Sequence, residues 1–176
     1  MSCAGFRIRV AGDEPGIAAA LAQVLLDCVA GGASVSFMSP LAAHRAQQFW
    51  HAVLESAQRG ERIVLLAEDS VPGTIVGTVQ VVFAVAENQP HRADVAKMLV
   101  HRRVRRRGLG AALLQAAESA AREAGRTLLV LDTVTNGDAE RLYVRLGWQR
   151  VGVIPGYALW PTGGRCDTTY FYKTLY

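Results

Sequence analysis

A chain of 176 residues, 51% of them hydrophobic and 19% charged, has the size and composition of one ordinary globular domain, so we expect a single domain over residues 1–176. The formal net charge of +4 is small, which argues against a nucleic-acid-binding protein. Three scattered cysteines, Cys3, Cys28 and Cys166, fit neither a disulfide framework nor a zinc site, and no apolar run reaches the roughly 18 residues of a membrane span, so we expect a reduced, cytoplasmic protein that binds no metal and no membrane.

The first third of the chain is typical of one strand followed by two helices. Apolar and basic residues alternate in Phe6–Val10, which predicts a half-buried strand. Residues 13–15 (Asp-Glu-Pro) favour a helix start, and the glycine pair at 31–32 ends the apolar pattern that follows. For the second helix the sequence predicts Ser39 as the cap and proline in the first turn, with an end before Gly60.

The middle of the chain predicts a meander of three strands. The segments 62–69, 74–85 and 93–101 are rich in β-branched residues. Turn-forming residues separate them at 71–73 and 88–90. Connections as short as these favour antiparallel pairing.

The last part of the chain returns to helices and strands in alternation. Residues 109–124 have one apolar helical face, and 127–134 form the nearly continuous apolar run of a buried, parallel-paired strand. A short helix over 137–146 and strands near 149–154 and 168–174 complete the pattern. The predicted fold is therefore a mixed α/β sheet of about seven strands, mostly antiparallel with a central parallel pair, flanked by about four helices.

The segment Arg105–Gly110, "RRRGLG", lies between a predicted strand and a predicted helix. Its glycines let the backbone approach a ligand, and the first amides of the helix have no intrahelical partner and favour an anion. The guanidinium groups add charge-assisted hydrogen bonds, so the segment suits a diphosphate. A solvated charge run is the plain alternative. A nucleic-acid patch is disfavoured because interleaved aromatic residues are missing.

Two motifs in this region are similar to those of the GNAT family of N-acetyltransferases. The pyrophosphate motif Gln/Arg-x-x-Gly-x-Gly/Ala matches Arg105–Gly110, and the motif Asn-x-x-Ala-x-x-Leu-Tyr with a following Leu-Gly-Phe/Trp matches residues 136–143 and 146–148. The resemblance covers nearly the whole chain. It implies the GNAT fold, acetyl-CoA as co-substrate, direct transfer of the acetyl group to an amine without an acyl-enzyme, and in many members a homodimer.

Three further segments, 31–38, 92–100 and 155–175, resemble the tabtoxin-resistance group of that family. This closer resemblance implies a small amine-bearing acceptor, such as the β-lactam tabtoxinine, and a role in toxin or antibiotic resistance. A protein or peptide amine is an alternative acceptor, although the predicted acceptor loops carry few acidic residues besides Asp167. A noncatalytic acetyl-CoA sensor is a third possibility, but it would not need the tyrosine and aspartates described next.

The resemblance implies roles for three titratable residues. Tyr143 matches the family tyrosine that protonates or hydrogen-bonds the leaving sulfur, although a tyrosine here could also simply pack against the sheet. Asp132 and Asp94 are the candidates for the general base, and Asp94 stands where the closer group has glutamate. The alternative is that either carboxylate is structural and bonds a neighbouring strand or Arg92.

The remaining candidate residues divide between coenzyme and acceptor. The coenzyme set, in which the oxyanion donor is expected near Leu99 or Val100, is Met98, Leu99, Val100, Arg105, Arg106, Arg107, Gly108, Leu109, Gly110, Asn136 and Tyr143. The acceptor set is Ser34, Ser36, Phe37, Met38, Tyr157 and Trp160. Core packing is the alternative for Met98–Val100, Phe37 and Met38, and a helix cap is the alternative for Asn136.

Overall fold

The computed structural model describes residues 2–3, 5–69 and 74–176. Its strands are β1 (Ser2–Cys3), β2 (Phe6–Val10), β3 (Arg62–Asp69), β4 (Ile75–Phe83), β5 (Arg92–Val100), β6 (Leu128–Val134), β7 (Gln149–Leu159) and β8 (Arg165–Thr174). Its helices are α1 (Ile17–Ala30), α2 (Ala43–Gln58), α3 (Leu109–Glu123) and α4 (Asp138–Arg145), with one 3₁₀ turn at Arg102–Val104.

All the described strands belong to one sheet with the order β1-β2-β3-β4-β5-β6-β8-β7. Only β5 and β6 pair in parallel, and every other described neighbour is antiparallel. The predicted mixed sheet with a central parallel pair and four flanking helices is confirmed. The strand that the sequence did not predict is β1, whose two residues pair with Phe6 and Arg7 of β2.

The helices cover opposite faces of the sheet, and each face has its own apolar core. On one face, α3 and α4 pack on side chains such as Val95, Leu131 and Phe171. On the other face, α1 and α2 pack on side chains such as Leu66 and Leu99. We call these the α3 face and the α1 face. Because side chains alternate along a strand, a residue's position in β5 or β6 decides which face it serves.

Strands β5 and β6 separate after a short parallel ladder. The ladder joins Arg92–Asp94 to Leu128–Val130 and then stops, while β5 continues along β4 and β6 continues along β8. From Val95 onward, the edge of β5 that faces β6 therefore lacks a partner strand. This separation opens a cleft in the middle of the sheet.

A bulge in β5 lies beside this separation. Thr78 pairs with Leu99 but Gln80 pairs with Ala96, so two residues of β5 oppose one of β4. Lys97 has a φ of 48°, in the left-handed region that costs an L-residue about 1–2 kcal/mol. The extra residue changes the alternation of the strand, so that Lys97 lies on the α1 face together with Leu99.

A buried polar network fixes the α3 face next to the cleft. Glu118 of α3 accepts hydrogen bonds from Trp148 Nε1 at 3.0 Å and from Lys173 Nζ of β8 at 2.8 Å. Lys173 also donates to the carbonyl of Leu146, at the end of α4, at 2.8 Å. Both charges are paired, so the network joins α3, α4 and β8 without leaving an unpaired buried ion.

The structure corrects the predicted start of α2 and the extent of the last hairpin. Helix α2 begins at Ala43, so the cap position is Ala42 and not Ser39. The Ser39 amide instead donates to the carbonyl of Pro161 at 2.8 Å. That contact holds residues 33–42 as a loop against the β7–β8 hairpin, whose strands are longer than predicted. The turn predicted at 71–73 lies outside the described residues. Among the described helices, none has the length and apolar character required to span a membrane.

Candidate active site

The cleft between β5 and β6 has a volume of about 1010 Å³ and is open to both faces of the sheet. Its lining combines the N-terminus of α3 and residues of α4 with the loop 33–38 and the β7–β8 hairpin. A cleft of this size accommodates a large ligand, or two ligands that meet in the middle.

The N-terminus of α3 forms one end of the cleft. Gly108, the residue before the helix, has a φ of 79°, and Arg106 has a φ of 64°. The first helical bond runs from the Ala112 amide to the Gly108 carbonyl at 3.1 Å, and no side chain caps the helix. The amides of the first turn therefore point out of the helix, where they favour an anion.

Gly110 in this first turn lies close to the opposite wall. A Cβ atom at Gly110 would come within 3.2 Å of Leu142 Cδ2 and 3.9 Å of Met98 Sδ. A larger residue would narrow the space between α3 and α4. Glycine here keeps the cleft open at the helix end.

The three motif arginines point in different directions. Arg105 Nε donates to the carbonyl of Val100 at 3.0 Å, at the end of β5, and Arg106 is an exposed residue of the cleft lining. Arg107 instead places its guanidinium 4.5 Å from the ring centroid of Phe6 and is not part of the lining. The favourable contact between a cation and an aromatic face explains why this third side chain turns away.

Charged side chains gather on the α1 face of the cleft. Asp94 and Asp132 lie one residue out of phase with the apolar residues that face α3, and Lys97 reaches the same face through the bulge. Arg92 Nη1 donates to Asp94 Oδ1 at 2.8 Å. This is the ion pair expected if Asp94 has a structural role. Lys97 Nζ donates to Ser36 Oγ at 3.1 Å.

The electrostatics of this group are dominated by partial loss of water. The cleft exposes Asp132 to solvent, but the protein around it removes part of its hydration, which raises the pKa of its carboxyl. The positive charge of Lys97 opposes this rise, and the negative charge of Asp94 adds to it. Burial also lowers the pKa of Lys97, against the opposing effect of Asp132.

Tyr143 belongs to the apolar core of the α3 face and also lines the cleft. Its ring packs against Phe171 and Trp148, with centroids 5.9 and 6.0 Å away, and the residue is 5% exposed. Burial, followed by the charge of Asp132, raises the pKa of Tyr143, so the phenol is protonated at neutral pH. Its hydroxyl forms no hydrogen bond with any described residue, and the side chain is part of the cleft lining.

The loop 33–38 and the β7–β8 hairpin border the cleft on the α1 face. Ser34 Oγ donates to the carbonyl of Leu159 at 2.8 Å, which joins the loop to the hairpin. Inside, the hydroxyls of Tyr157 and Tyr170 are 2.8 Å apart, and this bond raises the pKa of Tyr170 to about 12. Tyr170 pairs directly with Asp132 across β8 and β6, so both side chains lie on one face.

The position of Phe37 is compatible with both roles that the sequence left open, acceptor contact and core packing. Its ring meets the ring of Phe49 edge-on at 5.2 Å, within the core of the α1 face, and it also lines the cleft. Met38 and Trp160 are 48% and 39% exposed and lie at the rim. These three side chains give the outer part of the cleft an apolar border.

The structure brings most of the predicted site residues to one cleft. Those that line it are Ser34, Ser36, Phe37, Met38, Asp94, Met98, Leu99, Val100, Arg105, Arg106, Gly108, Leu109, Gly110, Asp132, Tyr143, Tyr157 and Trp160. Arg107 and Asn136 are not among the lining residues. Asn136 has a φ of 63° in the turn before α4, and Gly137 occupies the cap position.

Other residues of the lining were missed in the sequence. They include Lys97, Tyr170, Arg141, Arg145 and Cys28. The position of Lys97 among the apolar residues of 95–100 was a signal that could have identified it, since an unpaired charge in such a segment is costly. In the described part of the chain, no group of three or more His, Cys, Asp or Glu residues is arranged to hold a metal ion.

Comparison with known proteins agrees with this arrangement. The sequence model of the acetyltransferase (GNAT) family matches residues 33–148. The yncA protein of Salmonella typhimurium, to which acetyltransferase activity has been ascribed, was solved with its cofactor acetyl-CoA. It is 20% identical to this chain, with a TM-score of 0.78, over 98% of this chain and 95% of that chain. The ribosomal-protein-alanine N-acetyltransferase of Brucella melitensis is 23% identical with a TM-score of 0.80, over 96% and 99%. A protein to which phosphinothricin N-acetyltransferase activity has been ascribed is 20% identical with a TM-score of 0.78, over 97% and 99%. These structures share the fold of this chain.

Proposed function

The chain belongs to the acetyltransferase (GNAT) family, and from that premise we propose that it transfers an acetyl group from acetyl-CoA directly to the amine of a small acceptor. The observation that carries the proposal is the position of Tyr143 in the cleft. It lines the same cleft as the uncapped N-terminus of α3 and the carboxylates of Asp94 and Asp132.

The α3 face fits a coenzyme that carries a diphosphate. The free amides before Ala112, the left-handed Gly108 and the exposed Arg106 supply donors and positive charge at one end of the cleft. The apolar side chains of Met98 and Val100 line the path from there toward the strand separation. Bound acetyl-CoA would supply an activated thioester.

The proton of an acceptor ammonium goes to Asp132 in this proposal. A carboxyl whose pKa is raised is a stronger base than an ordinary aspartate, and it still ionises beside the positive charge of Lys97. Asp94 is held by Arg92 and contributes negative charge that attracts the ammonium. We therefore assign the base to Asp132 and a supporting electrostatic role to Asp94.

The proton for the departing thiolate comes from Tyr143. The phenol is protonated, fixed by its aromatic neighbours and free of any other hydrogen bond to the described residues. Backbone amides of β5 near Leu99 and Val100 supply the donor for the developing oxyanion, on the strand edge that lacks a partner.

A compact acceptor is favoured because the loop 33–42 and the β7–β8 hairpin restrict access to the acceptor side of the cleft. The bond from Ser34 to Leu159 and the bond from the Ser39 amide to Pro161 tie the loop 33–42 to the hairpin. An extended peptide would have to break this connection to cross the cleft. The fold alone does not choose, since similar structures are named for a protein acceptor and for phosphinothricin. An amine-bearing β-lactam of the tabtoxinine type fits the size of this space and the resemblance of segments 31–38, 92–100 and 155–175, and its acetylation would confer resistance.

The test is release of free thiol from acetyl-CoA with a panel of amines as acceptors. The panel contains tabtoxinine-β-lactam, amino acids, aminoglycosides, polyamines and basic peptides. We expect turnover with compact acceptors and none with peptides. In Tyr143→Phe, turnover should fall by about 10²-fold while acetyl-CoA affinity stays within about twofold, because the hydroxyl acts after bond formation begins.

Tyr172→Phe is the matched control, since this tyrosine bonds Gln149 outside the cleft lining. It should keep wild-type turnover. Equal turnover of Tyr143→Phe and Tyr172→Phe would refute the proposed acid. Tight acetyl-CoA binding with no turnover of any amine would favour a sensor, and turnover confined to the peptides would refute the compact acceptor.

A further inference from the structure

Lys97 is the one lysine that faces the cleft, since the chain has only two lysines and the other, Lys173, is bound in the network with Glu118. The bulge of β5 turns its half-buried side chain onto the α1 face. There its ammonium contacts Ser36 Oγ at 3.1 Å and lies 5.8 Å from the ring centroid of Phe49. The strained backbone is maintained at a position where the fold has no evident need for a cation.

The ammonium of Lys97 lacks an ion-pair partner among the described residues. The two lysines are a natural comparison: Lys173 contacts both carboxylate oxygens of Glu118 at 2.8 Å, whereas no described carboxylate lies within 4.0 Å of Lys97. Asp94, on the same strand and face, is bound by Arg92. A half-buried cation with one neutral hydrogen-bond partner has donors available for an anion in the cleft.

We propose that Lys97 binds the carboxylate of the acceptor, which makes the acceptor an amino acid or an amino-acid-like zwitterion. This inference rests on the proposed acetyl transfer, and it names the class of substrate.

The arrangement of charges on the α1 face carries the inference. The carboxylates of Asp132 and Asp94 supply a site for an ammonium, and Lys97 supplies a positive charge between them and the loop residue Ser36. A zwitterion with its charges a few ångströms apart satisfies both signs at once. A polyamine would bring a second positive charge toward Lys97, which is unfavourable at short range.

Lys97 is not positioned to bind the anionic groups of the coenzyme. The cation suited to a diphosphate is the exposed Arg106, just before the N-terminus of α3, whereas Arg105 is bonded to the carbonyl of Val100 and contacts Cys28 Sγ. Lys97 contacts α2 and the loop before it, on the opposite face of the sheet. The acceptor therefore meets Lys97, and the coenzyme meets Arg106 and the N-terminus of α3.

The first experiment compares acceptors that differ only in the carboxylate. For each L-amino acid turned over, kcat/KM is measured for the acid and for its carboxamide. We expect the wild type to prefer the acid by about tenfold or more, as for a hydrogen bond between charged groups. Lys97→Met should abolish this preference, and Lys97→Arg should retain most of it.

The ratio of acid to carboxamide is informative because other effects of the substitution cancel. Loss of the Lys97 charge also changes the pKa of Asp132, but that change acts on both acceptors alike. The left-handed backbone strains methionine and arginine alike, so backbone strain does not distinguish the two variants. An unchanged ratio in Lys97→Met, or no preference in the wild type, would overturn the inference.

A second experiment does not depend on catalysis. Reductive methylation with ¹³C-formaldehyde labels the chain's two lysines and the N-terminus, and Lys97→Arg assigns the Lys97 signal. Propionate should shift the Lys97 signal saturably, propionamide should not, and the Lys173 signal should respond to neither. A Lys97 response without acetyl transfer to any amine would retain the carboxylate site and remove the proposed function. Acetyl transfer without a propionate response would do the reverse.

Discussion

Asp132 is the residue whose environment should have the clearest effect on the pH dependence of kcat/KM. Its pKa is raised by partial burial, so the acid limb of kcat/KM should lie above the value of about 3.9 typical of an unperturbed aspartate. The sign follows from the role: a base acts when deprotonated, so activity falls as the pH drops through the raised pKa. Initial rates between pH 4 and 9 with one acceptor would locate the limb.

Two substitutions should move this limb in opposite directions. Lys97→Met removes a charge that lowers the pKa of Asp132, so the limb should move to higher pH. Asp94→Asn removes a charge that raises it, so the limb should move to lower pH. Asp13→Asn, at an exposed position before α1, is the control and should leave the limb in place, because solvent and salt screen distant charges. Shifts of the same sign in both cleft variants would exclude Asp132 as the titrating group.

Single residues show what could be predicted from the sequence and what could not. Tyr143, Asp132 and Asp94 were predicted for the site, and each lines the cleft. Lys97 was missed because its direction depends on a bulge, which no local pattern in the strand specifies. The direction of Arg107 was equally hidden, since it depends on Phe6, a residue about a hundred positions away in the chain.

The N-terminus of α3 is the element that should determine coenzyme affinity. Arg106→Ala should raise the KM for acetyl-CoA by about tenfold, as expected for one or two charge-assisted hydrogen bonds. Arg107→Ala should leave that KM within about twofold, because its guanidinium packs on Phe6 away from the cleft. Steady-state kinetics at saturating acceptor would separate the two variants.

The stability of Arg107→Ala shows whether the contact of Arg107 with Phe6 exists in solution. Loss of its contact with Phe6 should lower the free energy of unfolding by about 0.5–1 kcal/mol, measurable by urea denaturation. Equal increases of KM in the two variants would mean that the whole arginine segment acts as a diffuse positive charge. That result would contradict the distinct directions of the side chains.

At the level of elements, sequence patterns located the elements that have local signals better than those that depend on distant contacts. β2 and β3 have the predicted bounds, because alternation and β-branched content are local signals. The predicted start of α2 was wrong. Serine is a common cap residue, but the Ser39 amide bonds the carbonyl of the distant Pro161 and the helix begins later, at Ala43. The hairpin β7–β8 is longer than predicted because its outer part is stabilised by the loop 33–42, a contact between distant segments.

At the scale of the whole molecule, the proposed function places the coenzyme and the acceptor on opposite faces of the sheet. The parallel ladder of three residue pairs holds β5 and β6 together at one end and lets them diverge at the other. The sequence predicted the parallel pair but not where it stops, because the length of a ladder depends on how both strands are held by their other neighbours. The single domain, the homodimer and the cytoplasmic location stay predictions.

Separation by the sheet predicts that substitutions on the two faces act independently. Lys97→Met on the α1 face and Arg106→Ala on the α3 face have no shared contact among the described residues. Their effects on the free energy of activation, obtained from kcat/KM, should add within about 0.5 kcal/mol in the double variant. Tyr143 and Asp132 act in the same proposed transfer. The double variant Tyr143→Phe/Asp132→Asn should therefore lose less activation free energy than the sum of the two single effects. Coupling above about 1 kcal/mol between Lys97 and Arg106 would show that binding on one face rearranges the other, and the sheet would then be a moving part of the mechanism rather than a fixed partition.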